Sequence, residues 1–231
     1  MAKINLQEIR KIVDEYLNAQ DIIGRKRDGY YFHLKRFKKI IELLKLCPEF
    51  KGKILDVGHY DALIEIIRRA FPGNEYLNTD TELRDDLPFA DNSFDFVLNC
   101  EVIEHIAEKD LHKIQAFHYS RILNLLKENH RVLKPKGVLF LTTPNACSFL
   151  NITKALQNQN PMTYFLHYKE FTVWQVINFI NDLNFDIEWV KTEYVFTNKE
   201  DHKDLEDFAR AKGFKIDGRG DMTVVKAVKK V

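Results

Sequence analysis

The first 46 residues place apolar side chains three and four positions apart, which is the spacing of one face of an α-helix. A basic segment bounded by glycines, at residues 24–29, interrupts this pattern. The sequence therefore predicts a helical extension over about residues 5–46, broken near its middle. The apolar positions of its two halves are Leu6, Ile9, Ile12, Val13, Tyr16 and Leu17, then Leu34, Phe37, Ile40, Ile41, Leu43 and Leu44.

From residue 53 onwards, short apolar runs typical of buried strands alternate with segments of helical periodicity. Helices are predicted after Asp61, over residues 111–126, and after Thr172, whose Gln175 gives it the form of a capping box. This alternation predicts an α/β fold with a parallel sheet and a ligand site at the carboxyl ends of its strands. The predicted strands cover residues 54–57, 75–78, 94–99, 138–142, 187–196 and 222–228.

The composition is that of a globular protein, since 45% of the 231 residues are hydrophobic and 30% are charged. We divide the chain into an N-terminal helical extension or lid, residues 1–46, and a main domain, residues 47–231. The net charge of +1 gives no global field that would require nucleic acid or an anionic membrane as a partner. Three cysteines without metal-site spacing, no signal-like segment and no apolar run of about 18 residues predict a cytoplasmic protein without a membrane span.

The N-terminal extension has a local excess of positive charge that the net charge of the chain conceals. Two interpretations remain open: a solvated helical face, or a lid that attracts an anionic substrate. The basic residues are Arg25, Lys26, Arg27, Lys35, Arg36, Lys38 and Lys39.

Candidate ligand-binding residues follow the first two predicted strands. Gly58 lets the backbone approach a ligand, and the helix that begins nearby exposes N–H groups suited to a polar or anionic group. A dinucleotide site would have the pattern G-x-G-x-x-G, whereas residues 58–63 contain a single glycine, which disfavours NAD. Asp80 ends the second strand, where a carboxylate can hold both ribose hydroxyls of a nucleoside. The alternative for Asp80 is a turn-forming aspartate.

Five short motifs occur in a fixed order after these strands. They are Leu-Pro-Phe at 87–89, Asp-Asn-Ser-Phe-Asp at 91–95, Glu-Val-Ile-Glu-His at 101–105, Leu-Lys-Pro-Lys-Gly at 133–137 and Thr-Pro-Asn at 143–145. In this combination the chain, from residue 53 onwards, resembles the class I S-adenosylmethionine-dependent methyltransferases. The resemblance implies a Rossmann-like, mostly parallel sheet with helices on both faces, an antiparallel C-terminal strand, and S-adenosylmethionine as cofactor.

The resemblance also implies roles for individual residues. Asp56 and Gly58 would border the methionine end of the cofactor, and Asp80 would hold its ribose. Asp86 and Leu87 would lie near adenine, while Asn99 and Cys100 would lie close to the sulfonium and the entering substrate. Two residues of the cofactor loop, Tyr60 and Ala62, depart from the family, which usually has smaller residues there.

The segment of residues 101–105 supports three interpretations. If it is helical, Glu101, Glu104 and His105 share a face and can bind a divalent cation, with a distant His167 completing the set. This arrangement resembles the metal site of small-RNA 3′-terminal 2′-O-methyltransferases. His105 can instead act as a general base, with His167 as the second candidate, or the segment can be structural. We assign His105 and His167 as catalytic residues and assign no metal ligands.

The sequence thus predicts an enzyme that transfers a methyl group to an acceptor, most simply a hydroxyl of a small molecule or glycan. Nucleic acid is a less favoured partner, in the form of a metal-assisted RNA 3′-end 2′-O-methyltransferase. A non-catalytic binding subunit is the third possibility, because Tyr60 and Ala62 stand in the cofactor loop. The aromatic residues Tyr164, Phe165, Tyr168 and Phe171 lie in a connection that either contacts the substrate or packs under a loop.

Overall fold

The computed structural model describes residues 5–79, 81–107 and 119–231, and in this part of the chain six strands form one mixed sheet. The strand order is β2-β1-β3-β4-β6-β5. The pairs β1–β2, β1–β3 and β3–β4 are parallel, whereas β6 runs antiparallel to both of its neighbours. The strands are β1 Lys53–Val57, β2 Glu75–Asn78, β3 Phe94–Cys100, β4 Leu133–Pro144, β5 Phe185–Glu193 and β6 Met222–Lys229.

Helices cover both faces of this sheet. The buried residues of α1, α3 and α4 belong to the core on one face, and those of α5 and α7 belong to the core on the other. The predicted α/β class, the mostly parallel sheet and the antiparallel C-terminal strand are confirmed. The helices are α1 Leu6–Ala19, α2 Gly24–Phe32, α3 Leu34–Leu44, α4 Ala62–Ala70, α5 Ser120–Val132, α6 Phe149–Leu156, α7 Val173–Asn181 and α8 Lys203–Ala211.

The alternation of side chains along β1 and β3 decides which residues face the N-terminal helices at the carboxyl ends of these strands. Ile54 and Leu98 belong to the core under α1, α3 and α4, whereas Leu55 and Val97 belong to the opposite core. Because neighbouring residues of a strand point to opposite faces, the side chains two positions beyond Ile54 and Leu98 point towards the N-terminal helices. Asp56 and Cys100 occupy these positions, at the carboxyl ends of β1 and β3.

The N-terminal extension has three helices rather than two halves separated by a basic break. The predicted break at 24–29 is wrong, because α2 begins at Gly24 and continues through Gly29. The chain turns at residues 20–23, where Asp21 has φ +51°, and Gly24, with φ +61°, begins α2. Arg27 then fastens α2 to α1, since its guanidinium pairs with Asp14 at 3.2 Å. The break therefore precedes the basic segment, whose charged residues are compatible with helical structure.

Both predicted helix N-caps are confirmed, while other helix and strand boundaries differ from the predicted ones. Asp61 caps α4 by accepting the N–H groups of Leu63 and Ile64, and Thr172 forms a capping box with Gln175. The strand predicted over 187–196 ends earlier, at Glu193. Helices α6 and α8 were not predicted. Of the helix predicted over 111–126, residues 111–118 lie outside the described part of the chain, as does Asp80.

Among the described residues, no helix has the length and apolar character needed to cross a membrane. All three cysteines are free thiols.

Candidate active site

A cavity of about 470 Å³ opens at the carboxyl ends of β1 and β3. Its floor includes Asp56, Gly58 and Cys100, while His105 and His167 stand on its wall. An adjoining cavity of about 380 Å³ shares Gly58 and His105 and extends past the end of β2. Together they have the size of a small-molecule site and lie where an open parallel sheet binds its ligands.

The loop after β1 keeps its backbone open to these cavities. Gly58 has φ +123°, a conformation that residues with a side chain rarely adopt. A Cβ atom at this position would also come within 3.2 Å of Val102 Cγ2. The loop is held from β2, because the Gly58 N–H donates to Thr79 Oγ1 at 2.9 Å and the Gly58 carbonyl accepts from Asn78 Nδ2 at 3.0 Å. A ligand can therefore approach this backbone closely.

Two carboxyl groups lie beside the loop, the buried Asp56 and the half-buried Asp61. Burial, reinforced by the nearby Asp61, raises the pKa of Asp56 to about 8, and a hydrogen bond from Asn78 Nδ2 at 2.7 Å offsets part of this shift. Burial also raises the pKa of Asp61, against the opposing charge of Arg36. A carboxyl group that burial keeps protonated becomes ionised readily when a cation binds next to it. This part of the cavity is suited to a positively charged ligand.

Glu101 follows β3 and ties the N-terminal extension to the sheet. It has a left-handed backbone, φ +59°, which is uncommon for a residue with a side chain. Thr142 holds it twice, since its carbonyl accepts the Glu101 N–H at 2.9 Å and its hydroxyl donates to Glu101 Oε1 at 2.9 Å. Arg36 of α3 donates to Glu101 Oε2 at 3.0 Å, and both side chains are almost fully buried.

The structure brings the two predicted catalytic histidines together. The ring centroids of His105 and His167 are 4.8 Å apart and the rings are nearly perpendicular. Burial first, and then the neighbouring His167 and Arg36, lower the pKa of His105 to about 4. His105 is therefore neutral at pH 7, which is the state that a general base requires.

Glu170 fixes the orientation of His167, a pair that was not predicted from the sequence. His167 Nδ1 lies 2.7 Å from Glu170 Oε1. Asn151 Nδ2 donates to Glu170 Oε2 at 2.7 Å, and Thr163 donates through both its backbone N–H and its hydroxyl. Because Glu170 accepts hydrogen bonds from Asn151 and Thr163, we infer that His167 also donates to it, through Nδ1.

Glu104 completes a group of side chains that could hold a metal ion. One ligand atom each from Glu104, His105 and His167 lies within 4.8 Å of the others. Glu104 Oε2 accepts from Thr143 Oγ1 at 2.9 Å, whereas its buried Oε1 has no partner among the described residues. Burial, together with the charge of Glu101, raises the pKa of Glu104 well above its ordinary value. Metal coordination would provide the counter-charge that this carboxyl lacks.

The helical spacing expected for this segment is wrong. Only Ile103–His105 is helical, as a single 3₁₀ turn. Glu101 therefore does not share a helical face with Glu104 and His105, and its carboxylate is held by Arg36 and Thr142 instead. His167 reaches the group because the chain returns to this edge of the sheet, where the Tyr168 N–H donates to the Glu104 carbonyl at 3.0 Å.

Some of the predicted cofactor residues line the cavities and others do not. Asp56, Gly58 and Cys100 line the larger cavity, as expected of them. Leu87 is packed into the core and Asp86 is exposed, and neither lines the two cavities. The Asn99 side chain is fully buried and, in the described part of the chain, has no hydrogen-bond partner. The roles of these residues and of Asp80, which lies outside the described residues, stay predictions.

Neither departure in the cofactor loop obstructs the cavity. The Tyr60 hydroxyl donates to Glu65 Oε2 at 2.7 Å, its ring packs 6.4 Å from that of Tyr16, and it is not among the lining residues. Ala62 is the first residue of α4 and is fully buried. The sequence reason for expecting a non-catalytic protein is therefore weakened.

Several lining residues come from the N-terminal extension and were not assigned to the site from the sequence. They include Tyr30 and His33, next to the guanidinium of Arg36. Burial lowers the pKa of His33 to about 3. In the sequence, Arg36 was only one of the seven lysines and arginines at positions 25–39. The apolar Phe37 and Ile40, which are buried, indicated only that α3 faces the core.

Comparisons with known proteins agree with this architecture. Residues 42–141 match a family model described as a methyltransferase domain. A protein of Mycolicibacterium smegmatis named "probable S-adenosylmethionine-dependent methyltransferase" is 24% identical over 143 residues. This match covers 62% of the present chain and 47% of the relative, so the chain spans about half the length of the curated relative it matches.

Two solved structures share the fold over most of both chains. An S-adenosylmethionine-dependent methyltransferase from Archaeoglobus fulgidus has a TM-score of 0.55 and 13% identity, over 84% of this chain and 94% of the other. One from Thermotoga maritima has a TM-score of 0.56 and 18% identity, over 95% and 99%. At these identities the likeness establishes the fold, and the function must be argued from the site itself.

Proposed function

We propose that the chain is a class I S-adenosylmethionine-dependent methyltransferase and that it transfers a methyl group from S-adenosylmethionine to a hydroxyl of a small molecule or glycan, a proposal supported by the matches to a methyltransferase domain and to methyltransferases of the same fold. The observation that carries the proposal is the meeting of His105 and His167 at a cavity that the open Gly58 loop also lines. The loop is suited to the cofactor, and the histidines are suited to removing a proton from the acceptor.

The volume of the cavities and the charge of their lining support the binding of the cofactor. The cofactor would supply a methyl group activated by a positively charged sulfur. Gly58 would allow the backbone to approach it, and the carboxyl groups of Asp56 and Asp61 would balance its positive charge. The adjoining cavity, between Thr79 and Val102, would take the nucleoside part, with Asp80 proposed to hold the ribose.

The two histidines would act on the acceptor. Aligning the acceptor oxygen with the methyl group supplies much of the rate enhancement in such a displacement, and a base that accepts the hydroxyl proton supplies a further part. His105 is neutral at pH 7, and Glu170 holds His167 through Nδ1. Tyr164 lines the cavity beside them, while Phe165 and Tyr168 are largely exposed near its mouth. These aromatic side chains could stack on a ring of the acceptor.

Isothermal titration calorimetry with S-adenosylmethionine and S-adenosylhomocysteine tests the cofactor assignment. We expect binding by the wild-type protein, normal affinity in His105→Ala, and abolished binding in Asp80→Ala. A panel of hydroxylated small molecules and oligosaccharides, assayed by S-adenosylhomocysteine formation, then tests turnover, which His105→Ala should slow. If neither nucleoside binds at millimolar concentration, the proposal fails.

The ligand atoms of Glu104, His105 and His167 support a second candidate, an RNA 3′-end 2′-O-methyltransferase that uses a divalent cation. The contact of Glu170 with His167 is also the kind that orients a metal-binding histidine. This candidate predicts that Mn²⁺ binds the wild-type protein and not Glu104→Gln, as measured by electron paramagnetic resonance. It also predicts activity on RNA ends that is lost with EDTA, and RNA binding that weakens steeply with salt. Activity that persists in EDTA would exclude it.

A further inference from the structure

A further opening, the outer cavity, lies on the surface of the N-terminal extension and has a volume of about 470 Å³. It is lined by residues of α1, α2 and α3 and by the chain that follows β5. The outer cavity shares Phe32 and Phe196 with the larger cavity of the candidate active site. The two rings are stacked, with centroids 5.3 Å apart and an angle of 11° between their planes. A ligand that lies against this pair can therefore extend into both cavities.

The chain after β5 holds Phe196 in this aromatic pair. Asp221 is fully buried and accepts hydrogen bonds from the backbone N–H groups of Val195 at 2.7 Å and Thr197 at 3.0 Å. The Thr197 hydroxyl donates to the same carboxyl group at 2.8 Å. The backbone is thereby fixed on both sides of Phe196, while Phe32 opposite is 58% exposed. The pair offers a prepared aromatic surface on which a ring of a ligand can stack.

The outer cavity carries positive charge. Arg10 and Lys35 line it, and no aspartate or glutamate does so in the described part of the chain. The guanidinium carbon of Arg10 lies 5.1 Å from the centre of the Tyr31 ring, and Lys35 Nζ donates to Asn198 Oδ1 at 2.8 Å. Neither contact neutralises the cation, because a tyrosine ring and an amide carry no net charge. The outer cavity is therefore suited to an anionic group.

The lysines of the groove next to the outer cavity have acidic partners instead. Lys38 and Lys39 both pair with Glu42, at 3.5 Å and 3.2 Å. Lys199 lies 3.8 Å from Glu206. A single-stranded nucleic acid binds along a groove whose cations follow its backbone, and these paired lysines do not form such a row. Two cations without acidic contacts suit one anionic group on a small ligand.

We propose that the outer cavity binds an anionic group of the methyl acceptor, a phosphate or a carboxylate, and that the acceptor extends over Phe32 and Phe196 into the larger cavity. Both groups present anionic oxygens that accept charge-assisted hydrogen bonds from arginine and lysine. The acids that line the larger cavity, which include Asp56, Glu101 and Glu104, favour binding of the anionic group outside it. This inference rests on the proposed function, since it requires that the bound ligand is methylated.

Small ligands with one ring and one charge test the subsite in the cofactor-free protein. Phenyl phosphate and benzoate carry the two anionic groups, and benzyl alcohol is the uncharged comparison. We expect calorimetry to show millimolar binding of at least one anion, and the tighter of the two indicates whether the acceptor is phosphorylated or carboxylated. The double variant Arg10→Gln/Lys35→Gln should weaken this binding at least about fivefold. The control Lys11→Gln/Lys38→Gln removes two exposed charges from the same two helices and should change it by less than about twofold.

The imidazole of His33 reports where these ligands bind. Its ring centroid lies 5.5 Å from that of Phe32 and 5.7 Å from that of Phe196, and it lines the larger cavity. Burial lowers the pKa of His33 to about 3, so its NMR signals at pH 7 do not move through titration. The bound anion should shift these signals in the wild type, and at equal concentration it should shift them less in Arg10→Gln/Lys35→Gln. Binding without any shift of His33 would place the ligand elsewhere and contradict the inference.

The assay for S-adenosylhomocysteine formation tests the link to the acceptor. Its panel of hydroxylated compounds is arranged in pairs that differ by one phosphate or carboxylate, such as a sugar and its phosphate. The anionic member of a pair should be the better substrate. Arg10→Gln/Lys35→Gln should raise its KM at least about fivefold while changing kcat less. A preference for the uncharged members would overturn the inference.

Further results would also overturn it. Equal losses in the two double variants would mean that only the net charge of the protein matters. Failure of both anions to bind, or benzyl alcohol that binds as tightly as they do, would show that there is no anionic subsite. An oligouridylate that binds more tightly than phenyl phosphate, and is weakened equally by both double variants, would indicate a surface for RNA. If the anions bind as expected and neither S-adenosylmethionine nor S-adenosylhomocysteine does, the proposed function fails and the anion site loses its assignment to an acceptor.

Discussion

Replacing Asp56 with asparagine should change how the stability of the protein depends on pH. Burial raises the pKa of Asp56 from an ordinary value of 3.8 to about 8 in the folded state. Between these two values the unfolded chain has lost the proton and the folded protein still holds it. The free energy of unfolding therefore decreases as the pH rises from about 4 to 8, and it levels off above that range.

The magnitude follows from the width of this interval. One pH unit within it corresponds to about 1.4 kcal/mol, so the Asp56 contribution should fall by about 2.7 kcal/mol between pH 5 and pH 7. Asparagine has no proton to lose, and its side-chain oxygen can still accept the hydrogen bond that Asn78 Nδ2 makes to Asp56 Oδ2 at 2.7 Å. Relative to wild type, Asp56→Asn should gain about 2.7 kcal/mol over these two pH units.

Urea denaturation of the ligand-free protein at pH 5, 6 and 7 measures this difference. Other ionisable groups contribute equally to both proteins, so they cancel when the two curves are subtracted. Asp207→Asn, at an exposed position of α8, is the control and should give a constant difference from wild type within about 0.5 kcal/mol. If Asp56→Asn and wild type give parallel curves, Asp56 is not buried as a neutral acid and the reasoning about the site's charge is wrong.

Three further variants test other parts of the site. Glu170 accepts four hydrogen bonds, and the amide of Glu170→Gln would have to donate as well as accept. This variant should therefore lose about 2–4 kcal/mol of the free energy of unfolding, measured by urea denaturation. The control, Glu200→Gln at an exposed position, should lose less than about 0.5 kcal/mol. Gly58→Ala should bind S-adenosylhomocysteine at least about tenfold more weakly by calorimetry, because φ +123° and the nearby Val102 exclude a Cβ atom. Tyr60→Ala should keep that affinity within about twofold, and a large loss would show that its ring enters the cofactor site.

The sequence predicted the features that depend on local patterns. All six strands were located because each is a short apolar run, and the caps at Asp61 and Thr172 need only residues within three positions. The order of the strands in the sheet was not predicted, since periodicity does not record which strands pair. Helix α2 was missed because it buries none of its residues and therefore has no apolar stripe.

The candidate site was predictable in its residue types and less so in its geometry. His105 and His167 were singled out, and the fold does bring their rings together. The helical spacing assumed for Glu101 and Glu104 was wrong, because Glu101 has a left-handed backbone conformation and its N–H donates to the Thr142 carbonyl. Arg36 could not be separated from its basic neighbours, because only the packed structure shows which cation of α3 is buried.

The places where local rules fail coincide with the cavity, and this coincidence supports its functional assignment. Glu101 adopts a backbone conformation that is unfavourable for its type, and Asp56 and Glu104 are acids buried with too few partners. Each feature destabilises the ligand-free protein, and packing alone would favour apolar residues at such positions. A ligand with positive charge would offset the electrostatic part of this cost, so its binding would be coupled to ionisation of the buried carboxyl groups.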